Sequence, residues 1–306
     1  MRHLYHCLLS TLLTVIALGL PMPVQAQEVM QVWVTVDWEG LSLEDDNLQA
    51  IQKFRQQFPQ VPLLHLINPA YFIQPGVNRA QIGSQIRSTL LPHDTIGLHI
   101  HPTRTLVKYC GISYQAEPSI SGADEHCTQA SCGHTVSLEY AYSQTELTRL
   151  VSCASELMVS NGFKYPRHFR AGAWQFGPKL QAALEANHFL WDSSRIDANL
   201  LTTRWHADSP LVKLLQQLHP QSTPFDQPYA LGYQLMEYPD NAAMADYTST
   251  KQLLSQFEQL LSTQRPVMVM GFHQESAAEY LLRLERTIPR MEQLAKQKNV
   301  RIEWMP

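Results

Sequence analysis

The chain has 306 residues, 44% of them hydrophobic and 16% charged, with 23 Lys+Arg against 27 Asp+Glu. That length holds one large domain or two small ones. No basic cluster interrupts the mildly acidic balance, which argues against a nucleic-acid partner.

The N-terminus reads as an export signal. Arg2 supplies the positive end, Leu8 to Leu20 a short apolar core, and Val24-Gln25-Ala26 a small-residue cleavage site. The apolar run falls short of the ~20 residues a membrane span needs, and Pro21 and Pro23 follow it at once. Residues 1–26 are therefore expected to be a signal peptide, and the mature chain a periplasmic or secreted protein without stable membrane insertion. Cys7 leaves with the signal. Cys110, Cys127, Cys132 and Cys153 remain, an even number that suggests up to two disulfides in three alternative connectivities. A structural metal is the alternative, because His126 and His134 flank Cys127 and Cys132. Cys153 reads either as a buried thiol or as one end of a bridge.

Strand and helix signals then alternate. Val32 to Val36 is a nearly continuous β-rich apolar run, as expected of a strand buried on both faces. Ser42 and acids 44 to 46 predict a helix over about 43–58, with Leu48, Ile51 and Phe54 as its stripe. A strand is expected at 61–67, a helix from Asn78 over about 79–90, and a strand at 95–100. Ser143 with Glu146 makes a capping box for a helix over about 144–160. Further strands are expected at 168–172, 189–192, 235–238, 266–272 and 300–304. Helices are expected near 177–187, 249–263 and 276–297, the last split by Pro289. Two stretches break the rhythm. Residues 103–142 hold three of the mature cysteines and read as an insertion over the strand ends. Residues 197–232 are irregular and rich in Pro, Gln and His. Repeated strand-helix units imply parallel strands. The expected fold is a single α/β domain over 27–306, a distorted (β/α) barrel of about seven parallel strands.

In such barrels chemistry gathers at the C-terminal ends of strands. Asp37 and Glu39 stand two apart at the end of the first strand, and His99 and His101 two apart at the end of the third. A strand directs residues i and i+2 to one face. Imidazole is a frequent ligand for zinc and related ions, so the four supply metal ligands plus a carboxylate left over as base. His168-Phe169-Arg170-Ala171-Gly172-Ala173-Trp174, Trp191-Asp192-Ser193-Ser194 and Met270-Gly271-Phe272-His273 load three further strand ends. Each has a plainer reading. Arg170 could serve a structural ion pair, Trp174 the core or a sugar-stacking surface, Asp192 a helix cap, and His273 an ordinary strand end. His65, His93, His188, His206 and His219 lack such context and read as structural or exposed.

This ordered series resembles the polysaccharide deacetylases of carbohydrate esterase family four over most of the mature chain, the cysteine-containing insertion excepted. The resemblance implies a distorted (β/α) barrel and a divalent metal, zinc foremost. It makes Asp37 the base and Glu39, His99 and His101 the metal ligands. Arg170 would orient the base, the backbone N–H at Trp174 would help hold the oxyanion, Asp192 would tune the acid, and His273 would be the general acid. The substrate implied is an N-acetylated amino sugar in a polysaccharide. Two features depart from the family pattern: the acids are separated rather than adjacent, and the histidines are two rather than four apart. A carbohydrate-binding pseudoenzyme on the same barrel, or an amidohydrolase of a small N-acyl compound, are the rival expectations.

Overall fold

Strand β1 (Glu28–Trp38) is buried at every position from Val32 to Trp38, because structure covers both of its faces. The computed structural model describes residues 28–306 except 122–126, 128, 130 and 264–265. The expected signal peptide and His126 lie outside the described residues. After β1 come α1 (Asp45–Gln57), β2 (Leu64–Ile67), α2 (Arg79–Arg87), β3 (Thr95–Ile100), α3 (Arg104–Tyr109), α4 (Leu138–Ala141) and α5 (Gln144–Ser160). The second half runs β4 (His168–Ala171), α6 (Pro178–Ala186), β5 (Trp191–Asp192), α7 (Pro210–Leu218), β6 (Tyr229–Ala230), β7 (Met236–Glu237), α8 (Thr250–Leu260), β8 (Val267–His273), α9 (Ala277–Tyr280), α10 (Leu282–Gln297) and β9 (Val300–Met305).

The strands form one curled, mostly parallel sheet in the order β6-β7-β5-β4-β3-β2-β1-β8. Only the β6–β7 pair is antiparallel. β9 pairs with the first half of β1, below β2. The chain after β7 reaches back to β8 through Ala242 N–H to Val269 O (3.1 Å) and Ala245 N–H to Gly271 O (2.7 Å), so the sheet curls into the expected distorted barrel.

Strand parity divides the side chains. Val32, Val34, Val36 and Trp38 of β1, Leu98 and Ile100 of β3, Phe169 and Ala171 of β4, and Met268, Met270 and Phe272 of β8 share one core with helix residues such as Phe54, Phe257 and Met291. The alternate positions face the barrel interior. At the bottom Trp33, Leu64, Leu66, Trp191, Val267 and Val269 plug it. At the top the inward positions are polar and carry the site.

Several local expectations need correction. Glu44, not Ser42, is the residue before α1, and it makes no side-chain cap. Pro289 sits inside α10 without splitting it, and the break falls at Leu281. The 103–142 stretch holds α3 and α4, and the irregular 197–232 stretch holds α7 and β6. The Asn78 cap and the Ser143–Glu146 capping box are formed. No helix among the described residues is long and apolar enough to cross a membrane.

β1 and β8 pack so closely that a Cβ at Gly271 would lie 2.3 Å from Thr35 Oγ1 and 2.8 Å from Thr35 O. The second contact is backbone and cannot swing away. Gly271→Ala should therefore destabilise the fold by about 1–3 kcal/mol, read as a lowered denaturation midpoint at unchanged slope. An unchanged midpoint would mean that the two strands are not in this register.

Candidate active site

Inward parity at the top of the barrel brings the loaded strand ends together. Asp37 lies in register with His273 across β1–β8, and His99 with Arg170 across β3–β4. Asp37, Glu39, His99, His101, Trp174 and His273 all line one cleft of about 350 Å³. The cysteine-containing insertion reaches the same cleft with Ile120, His134 and Thr135, and the 197–232 stretch adds Trp205 and Leu211.

Glu39 is the hub. His101 Nε2 stands 2.7 Å from one carboxylate oxygen and His134 Nε2 3.0 Å from the same oxygen. The other oxygen has His99 Nε2 at 3.4 Å and His273 Nε2 at 3.5 Å. Burial raises the Glu39 pKa, but the imidazoles of His101, His134 and His99 gathered around it outweigh burial and hold the carboxyl well below its ordinary value.

The two expected histidine ligands are oriented from behind. His99 Nδ1 bonds to Arg170 O (2.9 Å) and His101 Nδ1 to His134 O (2.5 Å). Since a carbonyl only accepts, each Nδ1 carries the proton and each Nε2 presents a lone pair to the cleft. Those Nε2 atoms are buried without a hydrogen-bond partner, and so is His134 Nδ1. The ring nitrogens approach Glu39 without hydrogen-bond alignment. Convergent buried lone pairs beside an ionised carboxylate are what a divalent ion requires. Glu39, His101 and His134 have ligand atoms within 4.8 Å of one another, and His99 adjoins them through Glu39.

Asp37 is buried and accepts from Arg170 Nη1 at 3.0 Å. Arg170 is itself fixed by Thr35 Oγ1 (2.8 Å), Ser193 O (2.8 Å) and Ser193 Oγ (2.8 Å). On the other side His273 Nδ1 pairs with Asp246 at 2.6 Å, and Ser276 Oγ donates to the same oxygen at 3.0 Å. Burial lowers the His273 pKa, but Asp246 overrides it and raises the imidazole well above its usual value.

The expectation that Asp192 tunes the acid histidine needs correction. Asp192 lies in register with Phe169, whose side faces the helices, and its neighbour Trp191 takes the inward position. Asp192 accepts from Ser194 Oγ (2.6 Å), and Ser194 Oγ accepts from the Ala171 N–H (2.8 Å). It also shares a hydrogen bond with Glu237, whose carboxyl burial and Asp192 push well up, so Glu237 keeps the proton. Asp246 holds the position expected of Asp192.

Trp174 and Ala173 adopt left-handed backbone, φ 54° and 50°, which costs a non-glycine residue of order 1–3 kcal/mol. The Trp174 indole donates to Asp240 (2.9 Å), and buried His219 donates to Trp174 O (2.9 Å). These bonds hold the turn against the cleft. Burial brings the His219 pKa down to about 4, so the ring stays neutral. Opposite, Glu275 accepts the Glu39 N–H with both oxygens (3.0 and 3.2 Å) and the Tyr71 hydroxyl. Burial and the nearby Glu39 push it up to about 8.

Sequence reasoning missed His134 as a cleft residue, and missed Asp240, Asp246, Tyr247 and Glu275. Asp240 follows the strand expected at 235–238 by two residues, so the strand-end signal used elsewhere would have found it. The cysteines pair as Cys110–Cys153 and Cys127–Cys132. Cys153 is thus a bridge end, and Cys127 and Cys132 ligate nothing.

No protein-family model matches the sequence, and no curated protein is a sequence relative. In fold the chain resembles polysaccharide deacetylases of carbohydrate esterase family four. A protein from Mycobacterium smegmatis described as a polysaccharide deacetylase is similar at TM-score 0.48 and 13% identity, covering 89% of this chain and 90% of that one. A family 4 carbohydrate esterase from Streptomyces lividans gives 0.43 and 12%, covering 89% and 91%. The chitin deacetylase of the fungus Colletotrichum lindemuthianum gives 0.43 and 11%, covering 89% and 84%. At such distance the likeness is one of fold alone.

Replacing Asp246 by Asn tests the acid–base pair directly. The His273 imidazole, followed by NMR in metal-free protein, should titrate well above 6.5 in the wild type and at lower pH in Asp246→Asn. The sign for stability follows. A raised histidine pKa stabilises fully below the unfolded value and ceases to do so as pH rises through the folded one. The destabilisation by Asp246→Asn should therefore shrink on going alkaline. Equal His273 pKa values in the two proteins would dissolve the pair.

Proposed function

We propose that the protein is an exported, metal-dependent hydrolase that removes N-acetyl groups from amino sugars in a polysaccharide. The observation that carries this is the convergence in one cleft of three imidazoles on Glu39, two of them with orphaned Nε2 atoms, with two further pairs, Asp37–Arg170 and His273–Asp246. Amide hydrolysis needs an activated water, charge stabilisation at the carbonyl oxygen, and a proton for the leaving amine. A divalent ion held by Glu39, His99, His101 and His134 would supply Lewis-acid polarisation and acidify water. Three imidazoles with one carboxylate favour zinc over magnesium or calcium, which prefer oxygen ligands.

The chain's own groups divide the remaining work. Asp37 takes the proton of the attacking water. Arg170 keeps Asp37 ionised and aimed. The left-handed turn at Trp174 offers backbone N–H groups to the developing oxyanion. His273, held protonated by Asp246, donates to the departing nitrogen. Ile120, Trp205, Leu211 and Tyr247 wall the cleft and limit water. Pure sugar binding needs neither the base nor the acid, which argues against the pseudoenzyme reading. The paired cysteines fit an oxidising compartment and so export.

Two substitutions separate the roles. His99→Ala should lower both bound metal and acetate release from chitooligosaccharides or peptidoglycan. Asp37→Ala should keep its metal and lose about 10²–10⁴-fold in turnover. Wild-type protein that holds no metal and releases no acetate from acetylated glycans would hand the site to the binding reading. Full activity in Asp37→Ala would move the base elsewhere.

A further inference from the structure

The insertion between β3 and α5 does more than border the cleft. His134 is its only imidazole among the described residues, and its ring stacks on His101 with centroids 3.7 Å apart and planes 12° apart. Its carbonyl accepts the His101 Nδ1 proton while its own Nε2 stands 3.0 Å from Glu39. One residue thus fixes the tautomer of an expected ligand and offers a further donor. The Cys127–Cys132 bridge lies just before it, its second cysteine two residues upstream of His134. Arg104, the first residue of α3 and three residues past His101, ties both halves of the bridge. Its N–H donates to Cys132 O (2.6 Å), and its guanidinium donates to Cys127 O. Between bridge and histidine, Gly133 has φ +83°, and a Cβ there would lie 2.6 Å from Pro102 O. The His134 N–H closes the turn on Ser131 O (3.0 Å).

We infer that the Cys127–Cys132 disulfide is a positioning element of the metal centre, which keeps His134 in place as a ligand grafted on by the insertion. This rests on the metal reading above. A ligand carried on a loop must be ordered when the ion binds, and that entropy is subtracted from affinity. A short bridge two residues away, clamped to the helix that follows His101, removes most of that freedom beforehand. Cys110–Cys153 offers an internal contrast. It joins the end of α3 to α5, and neither cysteine lines the cleft.

The test is zinc affinity by competition with a chromophoric chelator. The proteins compared are the wild type, His134→Ala, the double variant Cys127→Ser/Cys132→Ser, and that double variant carrying His134→Ala. The control is Cys110→Ser/Cys153→Ser. The bridge variant should bind zinc about 10–100-fold more weakly than the wild type, the usual cost of removing support around a ligand. His134→Ala should lose at least as much. Combining the two should add little to His134→Ala alone, because the bridge acts through that side chain. The control should bind as the wild type does, whatever its melting temperature. If the double serine variant fails to fold, the same titration on Cys127→Ala/Cys132→Ala reads the same quantity. A wild type that binds zinc, with a bridge variant binding equally well or a fully additive triple variant, overturns this inference and leaves the metal reading intact. A wild type that binds no zinc overturns both.

Discussion

Glu39 is a carboxylate taken out of water at the mouth of a barrel, and the top of the structure is organised around that charge. An isolated buried carboxylate would cost several kcal/mol or neutralise itself. Here four imidazoles stand within 3.5 Å of its two oxygens, and the Glu275 carboxylate accepts its backbone N–H from below. Three of the four rings are held in turn by something else: His99 by the Arg170 carbonyl, His101 by the His134 carbonyl, His273 by Asp246. The result is a cluster with buried lone pairs left over, the donor set of a candidate metal site.

Arg170 links that cluster to Asp37. Its carbonyl orients His99, while its guanidinium binds Asp37, Thr35 and Ser193. One strand position therefore holds both His99 and Asp37, and a shift of β4 would disturb both at once. The strained turn at Ala173 and Trp174 follows immediately, propped by Asp240 and His219. Stored strain of this kind is expected where backbone N–H groups must face a substrate rather than a neighbour.

Strand parity explains what could be read from the sequence. Asp37 and Glu39, His99 and His101, Arg170, and His273 occupy the inward alternate positions beside apolar outward ones, so the i, i+2 rule located them without coordinates. The same rule, applied to Trp191, would have turned Asp192 away from the cleft. Trp191 plugs the barrel with Trp33, and a strand cannot send two successive residues inward. His134 was illegible for a different reason. It lies in an irregular segment, where no period tells direction. Asp246 pairs with a histidine 27 positions away, a contact made by the curl of the sheet and not by any local pattern. α7 was missed because its Pro-, Gln- and His-rich surroundings masked the short apolar stripe of Leu211, Val212 and Leu215.

The central claim is that Glu39 and the histidines around it form one metal centre. Anomalous diffraction at the zinc edge from zinc-loaded crystals tests it most directly. The account predicts a single strong peak among Glu39, His99, His101 and His134, at about 2.0–2.2 Å from their nitrogen and oxygen atoms. A peak at the cysteines or on the surface, or a cleft in which the histidines simply hydrogen-bond to Glu39, would contradict it.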